Sequence, residues 1–391
     1  DPGGTLSVNI TGLNATGKTL ARMALDSWSD VTGILFQETS SNAHITFDDN
    51  SSGAFASFSY TGSGRIVGAS INVSTSWVGS NDDFYSYGMQ TYIHEIGHVL
   101  GLGHAGNYNV GATYGIDNDY ANDSWQMSVM SYFSQTENTS ITASYAFAVT
   151  PMIADIAAIQ DLYGVAATRT GNTVYGQGGN TGTYLDDWPN AAQAVAVTLY
   201  DMGGTDLLNL SFSAANQRVD LAEETVSDVA GLIGNMVIAR GTVIENVTTG
   251  QGNDDVSGNA AANLITLGQG NDVAYGMDQN DTLNGGFGND TLIGGEGNDT
   301  LNGDVDADRL EGGNGNDSVN GGAGFDLVFG GFGNDTVDGG NQADNVFGGA
   351  GNDLLLGGAG LDRLSGEAGD DEIYGGTGND VLFGGTEADE L

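Results

Sequence analysis

The chain of 391 residues contains no cysteine. Disulfides, a thiolate metal site and a cysteine nucleophile are thereby excluded, although the compartment is not fixed. Basic residues are nearly as scarce. Eight Lys and Arg face 51 Asp and Glu, a net charge of -43, and Lys18 is the single lysine. A chain of this charge repels nucleic acid and anionic membranes, so neither is expected as a partner. It also needs counter-cations to fold compactly. No run of 18 apolar residues occurs, so no membrane span is expected. What the chain has in excess is glycine, 65 residues concentrated towards the C-terminus. The length is enough for two domains.

Histidine is rare too, and its distribution is informative. Of four histidines, three fall in the eleven residues His94-Glu95-Ile96-Gly97-His98-Val99-Leu100-Gly101-Leu102-Gly103-His104. This is the pattern H-E-x-x-H-x-x-G-x-x-H. On a helix His94 and His98 lie one turn apart on one face, so both reach a single metal ion. Glu95 is placed to hold a water there. Gly101 ends the helix at no steric cost, and the returning chain delivers His104. Three neutral nitrogens and an open position define a catalytic zinc site rather than a closed structural one. Accidental histidines on a helix do not account for five fixed positions in so His-poor a chain.

Downstream stands Ser128-Val129-Met130-Ser131-Tyr132. With the zinc motif before it, Met130 reads as a Met-turn beneath the metal. At this point the chain resembles the serralysin family, the secreted calcium-dependent metzincins of bacteria. The resemblance implies that Tyr132, two residues after the Met, is a further zinc ligand that swings away when substrate binds. It also implies hydrolysis of peptide bonds, with Glu95 as general base and Tyr132 donating to the oxyanion. The implied cofactors are one Zn²⁺ held by His94, His98, His104 and Tyr132, and several structural Ca²⁺. Protein or peptide substrates, a monomer and an extracellular location are expected with it.

The remaining pattern suits an α+β metzincin-type catalytic domain over residues 1–165, followed by an all-β domain over 166–391. Thr5 to Ile10 alternates as a strand. Leu20, Ala24, Trp28 and Val31 form one stripe of a helix from Thr16 to Asp30. His44 to Phe47 and the β-branched Arg65 to Trp77 read as strands, and Asp83 to Leu100 as the motif helix. Thr150-Pro151 is a helix start. From there Ile153, Ile156, Ile159 and Leu162 face a core until Gly164 stops the helix. Arg65 to Val73 is the expected exposed edge strand along which substrate lies extended. Strand-like runs at Ala194 to Tyr200 and Met236 to Ala239 follow.

From Gly250 a nine-residue period runs to the end. Asp recurs at 254, 272, 281, 290, 299, 308, 317, 326, 335, 344, 353, 362, 371, 380 and 389, and Asn263 is the exception in register. Two residues after the Asp an apolar side chain recurs, as at Leu283, Leu292, Leu301, Leu310 and Val319. Gly-rich turns of six residues joined by strands of three make a parallel β-roll with two repeats per coil. The Asp carboxylates from Asp254 to Asp380 (Asp254, Asp272, Asp281, Asp290, Asp299, Asp308, Asp317, Asp326, Asp335, Asp344, Asp353, Asp362, Asp371 and Asp380) are the candidate Ca²⁺ ligands. Residues 250–391 hold 27 acidic and two basic residues, a charge of -25. Without cations that repulsion keeps the segment unfolded.

A competing motif is Gly12-Leu13-Asn14-Ala15-Thr16-Gly17-Lys18-Thr19, which matches the phosphate-binding G-x-x-x-x-G-K-T. It sits between a strand and a helix, but no apolar strand ending in Asp follows nearby to hold Mg²⁺. An exposed turn with a solvated lysine is the plainer expectation. His44 is expected to be structural or solvent-facing. Asp82-Asp83 and Asp186-Asp187 read as solvated faces or minor calcium ligands. The alternative to an enzyme is a calcium-binding adhesion or structural protein with an inactive peptidase-like domain, against which the intact Glu95 speaks. The chain starts at Asp1 without a leader and ends at Leu391 inside a repeat. Serralysins carry a longer N-terminal segment and continue past the repeats to an export signal, so trimming at both ends is expected.

Overall fold

The computed structural model describes residues 3–62, 66–79, 83–109 and 111–391. The chain forms two compact units. The first comprises Asp1–Thr173, Gly179–Gly204 and Leu232–Thr242, and the second Val174–Gly178, Thr205–Gly231 and Val243–Leu391.

The first unit is mixed α and β. It opens with β1 (Thr5–Gly12), α1 (Ala15–Thr32), β2 (Leu35–Glu38), β3 (Ile45–Asp48), β4 (Ala54–Tyr60) and β5 (Ile66–Val73). The short helix α2 (Thr75–Val78) follows, then α3 (Tyr87–Val99), β6 (Phe147–Ala148) and α4 (Ile153–Tyr163). The sheet runs β2-β1-β3-β5-β4. Every pairing is parallel except β4 with β5. The strand predicted as the edge is therefore internal, because β5 lies between β3 and β4, and Arg65 lies outside the described residues. β4 is the edge. Ala and Ser occupy most of its alternating positions, which leaves little signal at the sequence level.

The stripe of α1 is buried as its spacing requires, with Leu20, Ala24 and Trp28 fully enclosed. Trp28 donates from Nε1 to the Ile93 carbonyl at 2.9 Å, which ties α1 to α3. The phosphate-loop match is accounted for here. Asn14 caps α1 by accepting from the Gly17 N–H at 2.7 Å. The Asn14 N–H in turn donates to Asp49 at 2.9 Å. Gly17 is inside the helix, where a Cβ would stand 2.8 Å from the Tyr92 hydroxyl. The segment is a capped helix start with a carboxylate beside it, the wrong charge for a phosphate.

α4 begins later than Thr150-Pro151 predicts. Met152 is its N-cap residue, and Asp155 accepts from the Met152 N–H at 2.9 Å. The Thr150 hydroxyl instead accepts from the Thr198 N–H at 2.8 Å. Ile153, Ile156 and Ile159 are buried, but Leu162 is 57% exposed. Gly164 ends the helix at φ 87°. The strand Val195–Leu199 pairs in parallel with β6 and with Met236–Ile238, all within this unit. His44 is structural, and its Nδ1 accepts from the N–H of Ser7 at 3.0 Å.

The second unit contains a parallel solenoid. Successive strands alternate between two sheets. Partners are 18 residues apart, as in Leu283 opposite Leu301, so two repeats make one coil. The inward Leu283, Leu292, Leu301 and Leu310 are fully enclosed. Two features depart from the expectation. Most repeat strands are six residues long, as in Thr282–Phe287 and Thr291–Glu296. Turn amides such as that of Gly297 still bond the next coil, here the Asn314 carbonyl at 2.8 Å, so the ladder runs on into the turn. The solenoid also begins before Gly250. Val174–Gly176 pairs with Leu207–Asn209, which pairs with Asn246–Thr248. Those early coils lack the glycine period that made the later ones visible.

Candidate metal centre and calcium row

α3 carries His94 and His98, and its end delivers His104. Ser86 caps the helix start by accepting from the Met89 N–H at 3.2 Å. At the other end Gly101 has φ 108°. Its N–H bonds the His98 carbonyl at 3.0 Å, and the Leu102 N–H bonds the Gly97 carbonyl at 3.0 Å. These two bonds are a Schellman motif, which turns the chain back at once.

The three rings converge, with ligand atoms within 4.8 Å of one another. Each Nδ1 faces a carbonyl, which only accepts, so each Nδ1 carries the proton. His94 donates to Val129 at 2.8 Å, His98 to Leu102 at 2.9 Å and His104 to Tyr108 at 2.7 Å. Every Nε2 is thereby left with a lone pair. The Nε2 atoms of His98 and His104 are 3.1 Å apart. Two lone pairs that close are repulsive unless a cation shares them, so the donor set fits a zinc ion. Burial, then neighbouring His98, pushes His94 down to about 3. Burial also lowers His98 and His104, keeping the rings neutral.

Glu95 lines the same cleft as His94 and Tyr132. Its Oε2 is buried without a hydrogen-bond partner, and burial pushes the carboxyl up to about 7. Met130 is buried under the helix. A Cβ on Gly97 would stand 2.7 Å from its sulfur, which explains a glycine inside the motif helix. The Tyr132 ring centroid is 4.5 Å from that of His104, and its hydroxyl donates to the Asn109 carbonyl at 3.4 Å. The structure thus brings His94, Glu95, His98, His104, Met130 and Tyr132 together.

Two residues were not legible in advance. Tyr108 donates its hydroxyl to Asp123 at 3.1 Å and accepts from the Tyr132 N–H at 3.3 Å. Asp155 accepts from Ser128 at 2.6 Å and from the Val129 N–H at 2.7 Å, pinning the turn before Met130. Burial nonetheless pushes Asp155 up to about 6. An acidic residue three after a helix cap was the one available signal for it. Tyr108 had none, since its backbone carbonyl does half the work.

The repeat carboxylates form two columns along the solenoid. From Asp272 on, Oδ1 accepts the N–H of the residue 18 earlier, as Asp308 does from Asp290 at 2.8 Å, and Asp254 accepts from the Gln217 N–H. Oδ2 is buried and unpartnered in thirteen of them, Asp254 to Asp371. Asp380 keeps the Oδ1 bond, from Asp362 at 3.1 Å, but is less enclosed. Burial pushes Asp281, Asp290, Asp335 and Asp344 up to about 7 and Asp308 to about 8, with nearby carboxylates adding to the rise. Rows of orphaned anionic oxygens fit a hard cation such as Ca²⁺. Asn263 is an internal control. Its Nδ2 donates to the Glu245 carbonyl at 2.9 Å and its Oδ1 accepts from the Asn259 N–H at 2.9 Å, so no oxygen is left over.

A convergent histidine triad and a solenoid of acidic nonapeptides are the two features by which the chain compares with known proteins. Residues 165–338 match the family described as Peptidase M10 serralysin C terminal, and residues 356–391 match the RTX calcium-binding nonapeptide repeat. The chain is a relative of the serralysins. It is 41% identical over 267 residues to "Metallopeptidase AprA" of Pseudomonas marginalis, covering 64% of this chain and 56% of that protein. It is 44% identical over 247 residues to "Serralysin C" of Dickeya chrysanthemi, covering 60% and 51%. With "Serralysin" of Photorhabdus luminescens it shares 39% identity over 266 residues, 65% and 54% of the two chains. The chain thus spans about half the length of the curated relatives it matches. No helix among the described residues is long and apolar enough to cross a membrane.

Proposed function

We propose that the chain is a secreted, calcium-stabilised zinc endopeptidase with a metzincin-type catalytic domain over residues 1–165. The observation that carries this reading is the convergence of three Nε2 lone pairs beside the buried, unpartnered Glu95. His94, His98 and His104 would hold the zinc, with Tyr132 as a further, releasable ligand. When bound, zinc supplies a Lewis acid that polarises the scissile carbonyl and lowers the pKa of water towards about 7. Glu95 takes the proton of the attacking water and returns it to the leaving amine. The Tyr132 hydroxyl leaves the Asn109 carbonyl and donates to the developing oxyanion. Substrate lies extended along β4, the edge strand whose first residue lines the cleft with His94 and Glu95. Backbone pairing there holds the peptide without regard to most side chains. The Asp row from Asp254 to Asp380 binds Ca²⁺ and supports the solenoid.

Casein hydrolysis in millimolar calcium tests the reading. Activity should vanish with 1,10-phenanthroline and return on adding zinc. Glu95→Ala should abolish turnover while zinc content is unchanged, and retained turnover would remove Glu95 from its role. Bound zinc with no hydrolysis of any protein would favour the adhesion or structural alternative.

A further inference from the structure

The cleft that holds His94 and Glu95 has a volume of about 460 Å³, within the range of roughly 300–1,000 Å³ typical of ligand pockets. One of its sides is aromatic. Trp77, Tyr87 and Trp125 line it. Tyr87 lies on the metal-facing side of α3, because Tyr87, Thr91, His94 and His98 follow the spacing i, i+4, i+7, i+11. Its ring is 5.8 Å from that of Trp77 and 6.2 Å from that of Trp125. Behind them Trp125 meets Tyr145 at 5.7 Å, Tyr145 meets Phe147 at 5.7 Å, and Phe147 closes the circuit to Tyr87 at 6.4 Å. Trp125 is fixed by its own Nε1–H, which donates to the Ser131 carbonyl at 3.0 Å. The rings are thus held against one another, Trp125 and Phe147 half-buried, while Trp77 and Tyr87 are each 41% exposed.

Interlocked rings left facing a cleft are preorganised for an apolar guest. Resting on the peptidase reading above, we infer that Trp77, Tyr87 and Trp125 form a specificity subsite that takes a bulky apolar, above all aromatic, side chain of the peptide. The backbone along β4 is read without preference, and this wall supplies the selection. The polar groups lining the rest of the cleft, such as Gln90, Thr91 and Asn109, offer such a side chain no comparable surface.

The test uses the full chain in calcium carrying Glu95→Ala, so that binding is read without cleavage. Two blocked hexapeptides differing only in one central Phe or Ala are titrated by calorimetry. The Phe peptide should bind about 10- to 100-fold more tightly. Trp125→Ala added to that background should erase the difference. Trp77→Ala, at an exposed position, should reduce it and covers the case in which Trp125→Ala does not fold. Equal binding of the two peptides, or stronger binding of the Ala peptide, would overturn the subsite. Hydrolysis of casein by the wild type alongside equal binding would sink the subsite alone. Discrimination by the Glu95→Ala protein without any wild-type hydrolysis would keep the subsite and remove the peptidase reading.

Discussion

Tyr108 couples the His104 ring to Tyr132, which lies 24 residues beyond Tyr108 in the chain. Its carbonyl holds the His104 proton, and its hydroxyl accepts the Tyr132 N–H while donating to buried Asp123. Tyr108→Phe would leave both hydroxyl partners unmet. A lost hydrogen bond to a buried charged group costs about 1.5–3 kcal/mol, so calorimetric stability should fall by that order. If Tyr108 only stabilises the fold, kcat measured well below Tm is unchanged. If it positions Tyr132, kcat falls with little change in KM. Tyr132→Phe removes the oxyanion donor itself and should lower kcat by about 10²–10³ with substrate affinity nearly kept. A loss confined to KM would reassign Tyr132 to ground-state binding. At this scale the sequence was legible where side chains carry the chemistry. The three histidines, Glu95 and Met130 stood in a fixed spacing. Carbonyls at Val129, Leu102 and Tyr108 have no residue signature, so the groups that select the histidine tautomers were invisible.

The motif helix shows how an element's end becomes part of the site. Gly101 sits at φ 108°, a conformation that costs an L side chain roughly 1–2 kcal/mol. Gly103, two residues on, has open space around its Cβ position and no left-handed φ. Gly101→Ala should therefore lower Tm in a calcium-saturated thermal scan, while Gly103→Ala stays within about 0.5 kcal/mol of wild type. Equal effects at both would show that the Schellman turn is not what sets the helix end. Elements with strong periodicity were legible: α1 by its Leu20–Val31 stripe, α3 by its histidines and the solenoid by its nine-residue count. β4 was not. Its half-buried face carries Ala54, Ala56 and Phe58 while Phe55 is exposed, so apolarity does not mark the face, and strand order depends on which neighbour completes the sheet. That is why the edge was assigned to Arg65 to Val73, the neighbour of the strand that holds it.

Over the whole molecule the acidic excess and the buried Asp columns point to one conclusion. The solenoid places thirteen carboxylate oxygens out of water without a hydrogen-bond partner. Burial raises these groups above the ordinary carboxylate range, several to about 7. A carboxyl whose folded pKa is raised binds protons more tightly folded than unfolded. In calcium-free protein its stabilising contribution is therefore complete below the unfolded pKa of about 4 and is lost as pH rises through about 7. Calcium replaces the proton and removes that loss. Far-UV circular dichroism in EGTA should then show the β signal of residues 250–391 at pH 4.5 and its collapse by pH 8. Millimolar calcium at pH 8 should restore it. A spectrum unchanged by chelator at pH 8 would mean that the columns are held by something other than cations. One that stays unfolded at pH 4.5 would mean that desolvation of these carboxylates is not the barrier that calcium overcomes. Asp308→Asn supplies a local check, because the Asn263 position already accommodates an amide in the same register. It should weaken calcium cooperativity at neutral pH while costing little at pH 4.5, where the native carboxyl is itself protonated.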